Sequence, residues 1–190
     1  MTRLINGKSY VGIGLMLLAA LVLGPGCEKA KPPLSPQAAA FAKDVQAMIN
    51  RVAQPLIEPV SREDRGAAQK ALEKAFSVCA EACEGMFYNV LILDHQGVLT
   101  AIHPPAEVKH LQFSSYKAVQ QAFTQKKPNQ AILYQPDGTP IDIVFVPLIR
   151  EDKVVGILAL GFEGNLVRDK RGLGTEEFLS LDFQSPGMKQ

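Results

Sequence analysis

Cysteine, histidine and one strand-borne acid are the residues of this 190-residue chain whose chemistry could go beyond packing. Cys79 and Cys83 stand four residues apart. In a regular helix their Cβ atoms would lie about 5–6 Å apart, whereas a disulfide needs about 3.5–4.5 Å. Two readings stay open: a disulfide closed by local unwinding near Gly85, or two small apolar core residues. The spacing is neither the C-x-x-C of thiol oxidoreductases nor the C-x-x-C-H of covalent haem. His95, His103 and His110 match no metal-ligand spacing, so no metal is expected. Asp142, set among apolar neighbours, predicts either a buried acid with a hydrogen-bond partner or a strand end open to water. G-x-S-x-G, H-E-x-x-H, P-loop and G-x-G-x-x-G elements are missing. No catalytic nucleophile–base pair can be named, and neither an enzyme nor a cofactor is expected.

Cys27 follows a leader. Arg3 and Lys8 form a short basic region, residues 11–23 are apolar or Gly throughout, and Gly24, Pro25 and Gly26 precede the cysteine. Basic, then apolar, then small is the order of a secretory signal, and the run is shorter than the roughly 20 residues of a spanning helix. A cysteine directly after the small residues resembles the lipobox of bacterial lipoproteins, although Gly24 stands where leucine is usual and Leu23 is one place early. The resemblance implies lipidation of Cys27 after removal of residues 1–26. Two acyl chains would anchor the chain stably, at about 0.8 kcal/mol per buried methylene. Glu28, in place of the Asp of inner-membrane retention, implies an outer-membrane location facing the periplasm. The alternative is ordinary signal cleavage near Gly26 with a leftover thiol. Residues 27–36, with three prolines and two lysines, read as an extended tether. Without residues 1–26 the chain keeps 18 basic and 19 acidic residues, because Arg3 and Lys8 are lost and no acid is. A net charge near −1 gives no footprint for nucleic acid.

Length and a 47% apolar content argue for one domain with appendages. Phe41, Val45, Met48, Ile49 and Val52 recur at helical spacing. Ser35 is the expected cap with Pro36 as first residue, and Pro55 and Pro59 are expected to break this helix. A second helix should start near Ser61, with Ala68, Leu72, Phe76, Cys79 and Cys83 as its apolar stripe and Gly85 as its stop. The period then changes. Residues 87–93 and 98–102 read as a hairpin around the turn 94–97, and residues 106–127 read as mostly helical. Residues 130–134, 141–149 and 154–162 read as three more strands. The last two are apolar at nearly every position, so both faces of the sheet should be covered: one by the N-terminal helices, the other by segment 103–127. Beyond the sheet, residues 169–172 read as a loop and Thr175 as the cap of a short helix. The polar end is expected to fray, or to dock on the domain or on a partner.

The motifs in this order resemble the single Cache domain, an extracellular relative of the PAS fold. Three stretches carry the resemblance: LDHQGVL at 93–99, FSSYKAV at 113–119, and VFVPL at 144–148 followed by VVGIL at 154–158. The resemblance implies an α+β fold: a five-stranded antiparallel sheet with N-terminal helices on one face and a helical insert on the other. It covers 37–163, with 164–190 as a C-terminal tail. It further implies a small-molecule site between sheet and insert. Phe113, Tyr116 and Lys117 lie where that pocket is built, Tyr116 as a hydrogen-bond donor and Lys117 as a point charge for a carboxylate. His103 at its rim, and Tyr134 and Asp142 on the strands, complete the candidate set. The Asp that amine-binding members carry five places after the final-strand Gly is Gly161 here, and the insert lacks the Arg and Trp of the amino-acid pattern. The expected ligand is therefore an anionic or neutral metabolite. Family members pass occupancy on through membrane-spanning helices and a cytoplasmic output domain. This chain would act through an envelope partner, or else use the fold as a protein-docking surface.

Overall fold

Helix α1 (Pro36–Ser61) starts where Ser35 can cap it: its Oγ accepts the Ala38 N–H at 3.1 Å, and Pro36 occupies the first helical position. The computed structural model describes residues 33–77, 87–106 and 111–186. The signal and lipidation readings on 1–26 and Cys27, the pair Cys79 and Cys83, and His110 all lie outside the described residues. Pro55 and Pro59 do not break α1. Each proline deletes one backbone hydrogen bond, but they fall on the outward half of the helix, while Val52, Leu56 and Val60 bury the inward half. Burial of that stripe holds the last two turns against a penalty of about 3 kcal/mol per interior proline. Helix α2 (Arg65–Ser77) consequently starts later than the sequence suggests. Asp64 caps it, accepting the Ala67 N–H at 2.9 Å, and Ala68, Leu72 and Phe76 are its buried stripe.

The sheet is antiparallel, with spatial order β2-β1-β5-β4-β3. Its strands are β1 (Asn89–Asp94), β2 (Leu99–His103), β3 (Asn129–Tyr134), β4 (Pro140–Arg150) and β5 (Lys153–Glu163). Asp94 forms the hairpin turn by accepting the N–H groups of Gln96 and Val98, both at 2.9 Å. Side chains of β1, β4 and β5 alternate between the two faces. Val90, Ile92, Val144, Val146, Leu158, Leu160 and Phe162 face α1 and α2. Leu91, Leu93, Ile143, Phe145, Ile157 and Ala159 face the insert. Both faces are therefore covered, which is why β4 and β5 are apolar without alternation. On the helix face an aromatic chain runs through the core, with Phe162 5.4 Å from Phe41 and 4.9 Å from Phe87 between ring centroids.

Two segments differ from the sequence expectation. Within the insert, only α3 (Lys117–Gln125) is helical among the described residues. Gln112 bridges Val98, and the Leu99 N–H donates to Leu111 O at 3.0 Å, so this part of the insert spends its backbone groups on the outer edge of β2. After β5, the stretch read as a loop belongs to helix α4 (Gly164–Arg171). Arg168, Lys170 and Arg171 sit in its last turn, where cations suit the helix dipole. Gly172, at φ +62°, ends it with the Gly172 N–H on Arg168 O and the Leu173 N–H on Val167 O. A short helix α5 (Thr175–Ser180) follows, and Phe178, Leu181 and Phe183 pack into the helix-face core. The end of the chain is thus docked through residue 186, with Ser35 N–H donating to Glu177 Oε1 at 2.9 Å and Gln184 N–H to Gln46 Oε1 at 2.8 Å.

Candidate functional site

The register separates the six candidate residues by face. Phe113 is half-buried against the insert-face cluster, its ring centroid 5.6 Å from that of Tyr116. Tyr116 is itself 41% exposed, and Lys117 is exposed at the first position of α3. Tyr134, at the outer end of edge strand β3, is 71% exposed. His103 pairs with Val90 and therefore points to the helix face, where its ring stacks on Phe76 at 4.7 Å. Asp142 lies on that same face. The structure thus brings Phe113 and Tyr116 together, leaves Lys117 beside them in solvent, and sets His103 and Asp142 across the sheet. Beneath α3, the insert face is filled by Ala118, Val119, Ala122 and the strand residues they meet.

Asp142 has a dedicated partner. Its side chain is 1% exposed, and Arg168 of α4 meets both carboxylate oxygens, Nη1 to Oδ2 at 3.3 Å and Nη2 to Oδ1 at 3.2 Å. Arg168 also donates to Thr175 Oγ1 from Nη2 at 2.8 Å. Burial pushes the Asp142 carboxyl above its ordinary value and outweighs the opposing pull of the guanidinium. The forked geometry suits arginine, and it fastens α4 and the start of α5 to the sheet. The sequence left open a buried acid with a partner or a strand end open to water; the structure shows the former and supplies the partner, Arg168, from the segment read as leading into a loop.

Sequence reasoning missed Asn89. It opens β1, pairs with Gly161 of β5, and by alternation with Leu91 faces the insert. Its side chain lies flat over Gly161, where a Cβ would come within 2.3 Å of Asn89 Oδ1. That oxygen is buried and accepts no hydrogen bond from any described residue. The available signal was an asparagine, a residue depleted in strands, opening a run of apolar residues. Glu163 stands two residues beyond Gly161 on the same face, half-buried, opposite Ile141. Over this end of the sheet, the Tyr88 hydroxyl donates to Gln135 Oε1 at 3.2 Å. Tyr88 precedes β1 and Gln135 follows β3, so this contact spans β5 and β4. His103 Nδ1 is a second buried atom without a partner among the described residues, on the opposite face.

A cleft of about 200 Å³ opens at the other end of the sheet, between the α1–α2 junction and the β1–β2 turn. Val60 and Ala68 line it with Glu63, Asp64, Arg65, Asp94 and His95. His95 Nδ1 approaches Glu63 Oε1 at 3.5 Å, so the third histidine borders this cleft and not the insert. Among the described residues no group of three or more His, Cys, Asp or Glu is placed to hold a metal ion, and no helix is long and apolar enough to cross a membrane.

The fold is similar to that of solved PAS/Cache-like sensor domains. The chain is similar to the extracellular domain of the histidine kinase vpHK1S-Z8, with a TM-score of 0.58 and 15% identity over 78% of this chain and 58% of that one. It is similar to the sensor domain of Escherichia coli DcuS, with a TM-score of 0.54 and 18% identity over 72% of this chain and 98% of that one. The ligand-binding domain of the Pseudomonas fluorescens chemoreceptor CtaA, solved with L-serine, gives a TM-score of 0.50 and 14% identity over 67% of this chain and 54% of that one. The chain spans about three fifths of the length of the first of these. No protein-family model and no curated protein matches the chain.

Proposed function

We propose that this chain is an exported, lipid-anchored module that binds a small molecule on the insert face of its sheet and conveys occupancy to another envelope protein. The observation that carries the reading is Asn89 Oδ1, a buried acceptor with no partner among the described residues, on the face where the Cache resemblance implies a ligand site. Buried polar atoms are nearly always hydrogen-bonded, so an unmatched one facing the insert marks where a ligand donor belongs. The CtaA domain with L-serine is consistent with such use of the fold. Cys27 supplies the anchor in this reading, after cleavage of residues 1–26. Phe113 and Tyr116 lie toward the hairpin-turn end of the sheet, where the Phe113 N–H donates to Gly97 O, and Lys117 is exposed beside them.

A second reading has its own observation. Beneath α3 the insert face is filled by the chain's own apolar side chains, as expected of a structural or assembly lipoprotein that uses the fold for docking. A thermal-shift screen of the full chain against organic acids, amines and purines separates the two. A ligand at about 100 times its Kd adds roughly 2.7 kcal/mol to stability. A flat response to every compound defeats the binding reading in favour of docking. Labelled palmitate that fails to enter the wild-type chain in cells, or enters C27S equally, defeats the anchor.

A further inference from the structure

The charge of the groups around Asn89 selects among ligands. We infer that the insert-face site takes a primary alkylammonium group, an inference that rests on the binding reading above. Two acceptors stand on the insert face at this end of β5. Asn89 Oδ1 lies over Gly161, and Glu163 stands two residues along the strand on the same face, its Cα about 7 Å away by strand rise. The Glu163 side chain makes no ion pair or hydrogen bond with any described residue, and the cation closest to it in sequence, Arg168, is committed to Asp142 on the opposite face. An ammonium brings three donors and one positive charge, matching an amide oxygen and a carboxylate together. A carboxylate ligand would meet two acceptors and a like charge. A quaternary ammonium would bring the charge and no donor. Leu91, Ala159, Ile141 and Ile143 surround the pair on this face, so the rest of the ligand is apolar. The Tyr88–Gln135 hydrogen bond crosses the same end of the sheet. This differs from the anionic or neutral ligand that the sequence suggests, because that expectation rests on Gly161 in place of the amine-pattern Asp and on the missing Arg and Trp, and takes no account of Asn89 and Glu163.

The test is titration of the full chain with butylammonium, butyramide and butyrate, matched in size and differing in charge. It is followed by NMR on the Asn89 side-chain amide and the Gly161 backbone amide. Butylammonium should shift both resonances and bind more tightly than butyramide, and butyrate should shift neither. N89L and E163Q should each weaken butylammonium about tenfold, the usual scale for losing a charge-assisted hydrogen bond. Glu163 is only half-buried, so E163Q keeps the test decisive should N89L fail to fold. Unchanged affinity in both variants overturns the assignment. So does preference for butyrate or butyramide with shifts at Gly161, an outcome that leaves the binding face standing. Silence from all three probes refutes the ammonium assignment, and together with an empty thermal-shift screen it removes the binding reading as well.

Discussion

Replacing Arg168 by Met tests how the C-terminal segment is held to the sheet. The substitution keeps an unbranched chain of similar reach and removes the charge, leaving Asp142 with 1% side-chain exposure and no counter-ion. Removing one partner of a buried pair typically costs about 3–5 kcal/mol. The acid can escape by taking a proton, and that escape sets a ceiling. Holding a carboxyl of ordinary pKa 3.8 protonated at pH 7 costs about 1.36 kcal/mol for each of 3.2 pH units, roughly 4.4 kcal/mol. At pH 5 the same ceiling is about 1.6 kcal/mol. The sign follows from linkage. Burial already raises the folded-state pKa of Asp142 above the unfolded value, so its contribution is fully present below pH 3.8 and is lost as pH rises through the folded pKa. Without Arg168 to pull that pKa down, the loss deepens. Urea unfolding of R168M against wild type should therefore show a deficit of about 3–4 kcal/mol at pH 7 that shrinks below about 2 kcal/mol at pH 5. The double variant D142N/R168M should recover part of the deficit at pH 7. A deficit equal at both pH values, or below about 1 kcal/mol at pH 7, would refute the account and make the pair incidental to stability.

Two further outcomes follow from close contacts in the fold. At Gly156 a Cβ would come within 2.5 Å of both Leu93 O and Val60 Cγ1; the first is backbone and cannot swing aside, so G156A should cost about 1–3 kcal/mol in urea unfolding, and a neutral result would show that α1 can lift from β5. Glu177 is held below its ordinary pKa by hydrogen bonds from Ser35, so its contribution is present above pH 4.5 and lost as pH falls through the folded value. E177Q should flatten the acid limb of the stability curve, and an unchanged limb would mean that the link between the two ends of the domain does not matter.

The sequence patterns that proved legible were those where one periodicity decides the outcome. The stripe from Phe41 to Val52, the strand pair at 141–149 and 154–162, and the two-faced burial of the sheet all follow from apolar spacing. Three features were hidden because a tertiary term overrode a local signal. Pro55 and Pro59 read as breakers until burial of Leu56 and Val60 is weighed against them. The basic run ending in Gly172 reads as a loop by composition but is a helix C-terminus by chemistry. The insert lacks helix over 111–116 because its backbone pairs with the edge of β2, and pairing across sequence distance leaves no mark on local periodicity. The candidate site failed to converge for a related reason. A one-residue difference in strand position reverses the face, so Asp142 and His103 fell across the sheet from Phe113 and Tyr116, while Asn89 gave no motif at all.

Asn89 also separates a structural explanation from a functional one. The other insert-face positions of β1 are Leu91 and Leu93, so an aliphatic residue is what packing alone would place at 89. An asparagine with a buried, unpartnered oxygen costs the unliganded chain about 1–3 kcal/mol, a large share of a total stability near 5–15 kcal/mol. Proteins keep such a cost mainly where function needs the group. N89L should then raise the urea stability of the unliganded full chain by about 1–2 kcal/mol while weakening butylammonium. The imidazole of His103 is the informative control, because its own unpartnered nitrogen belongs to a ring stacked on Phe76. H103L loses that stacking and should gain nothing. If N89L instead destabilises the chain as much as an ordinary core truncation, the amide is holding β1 against β5 and the functional reading of this position is wrong.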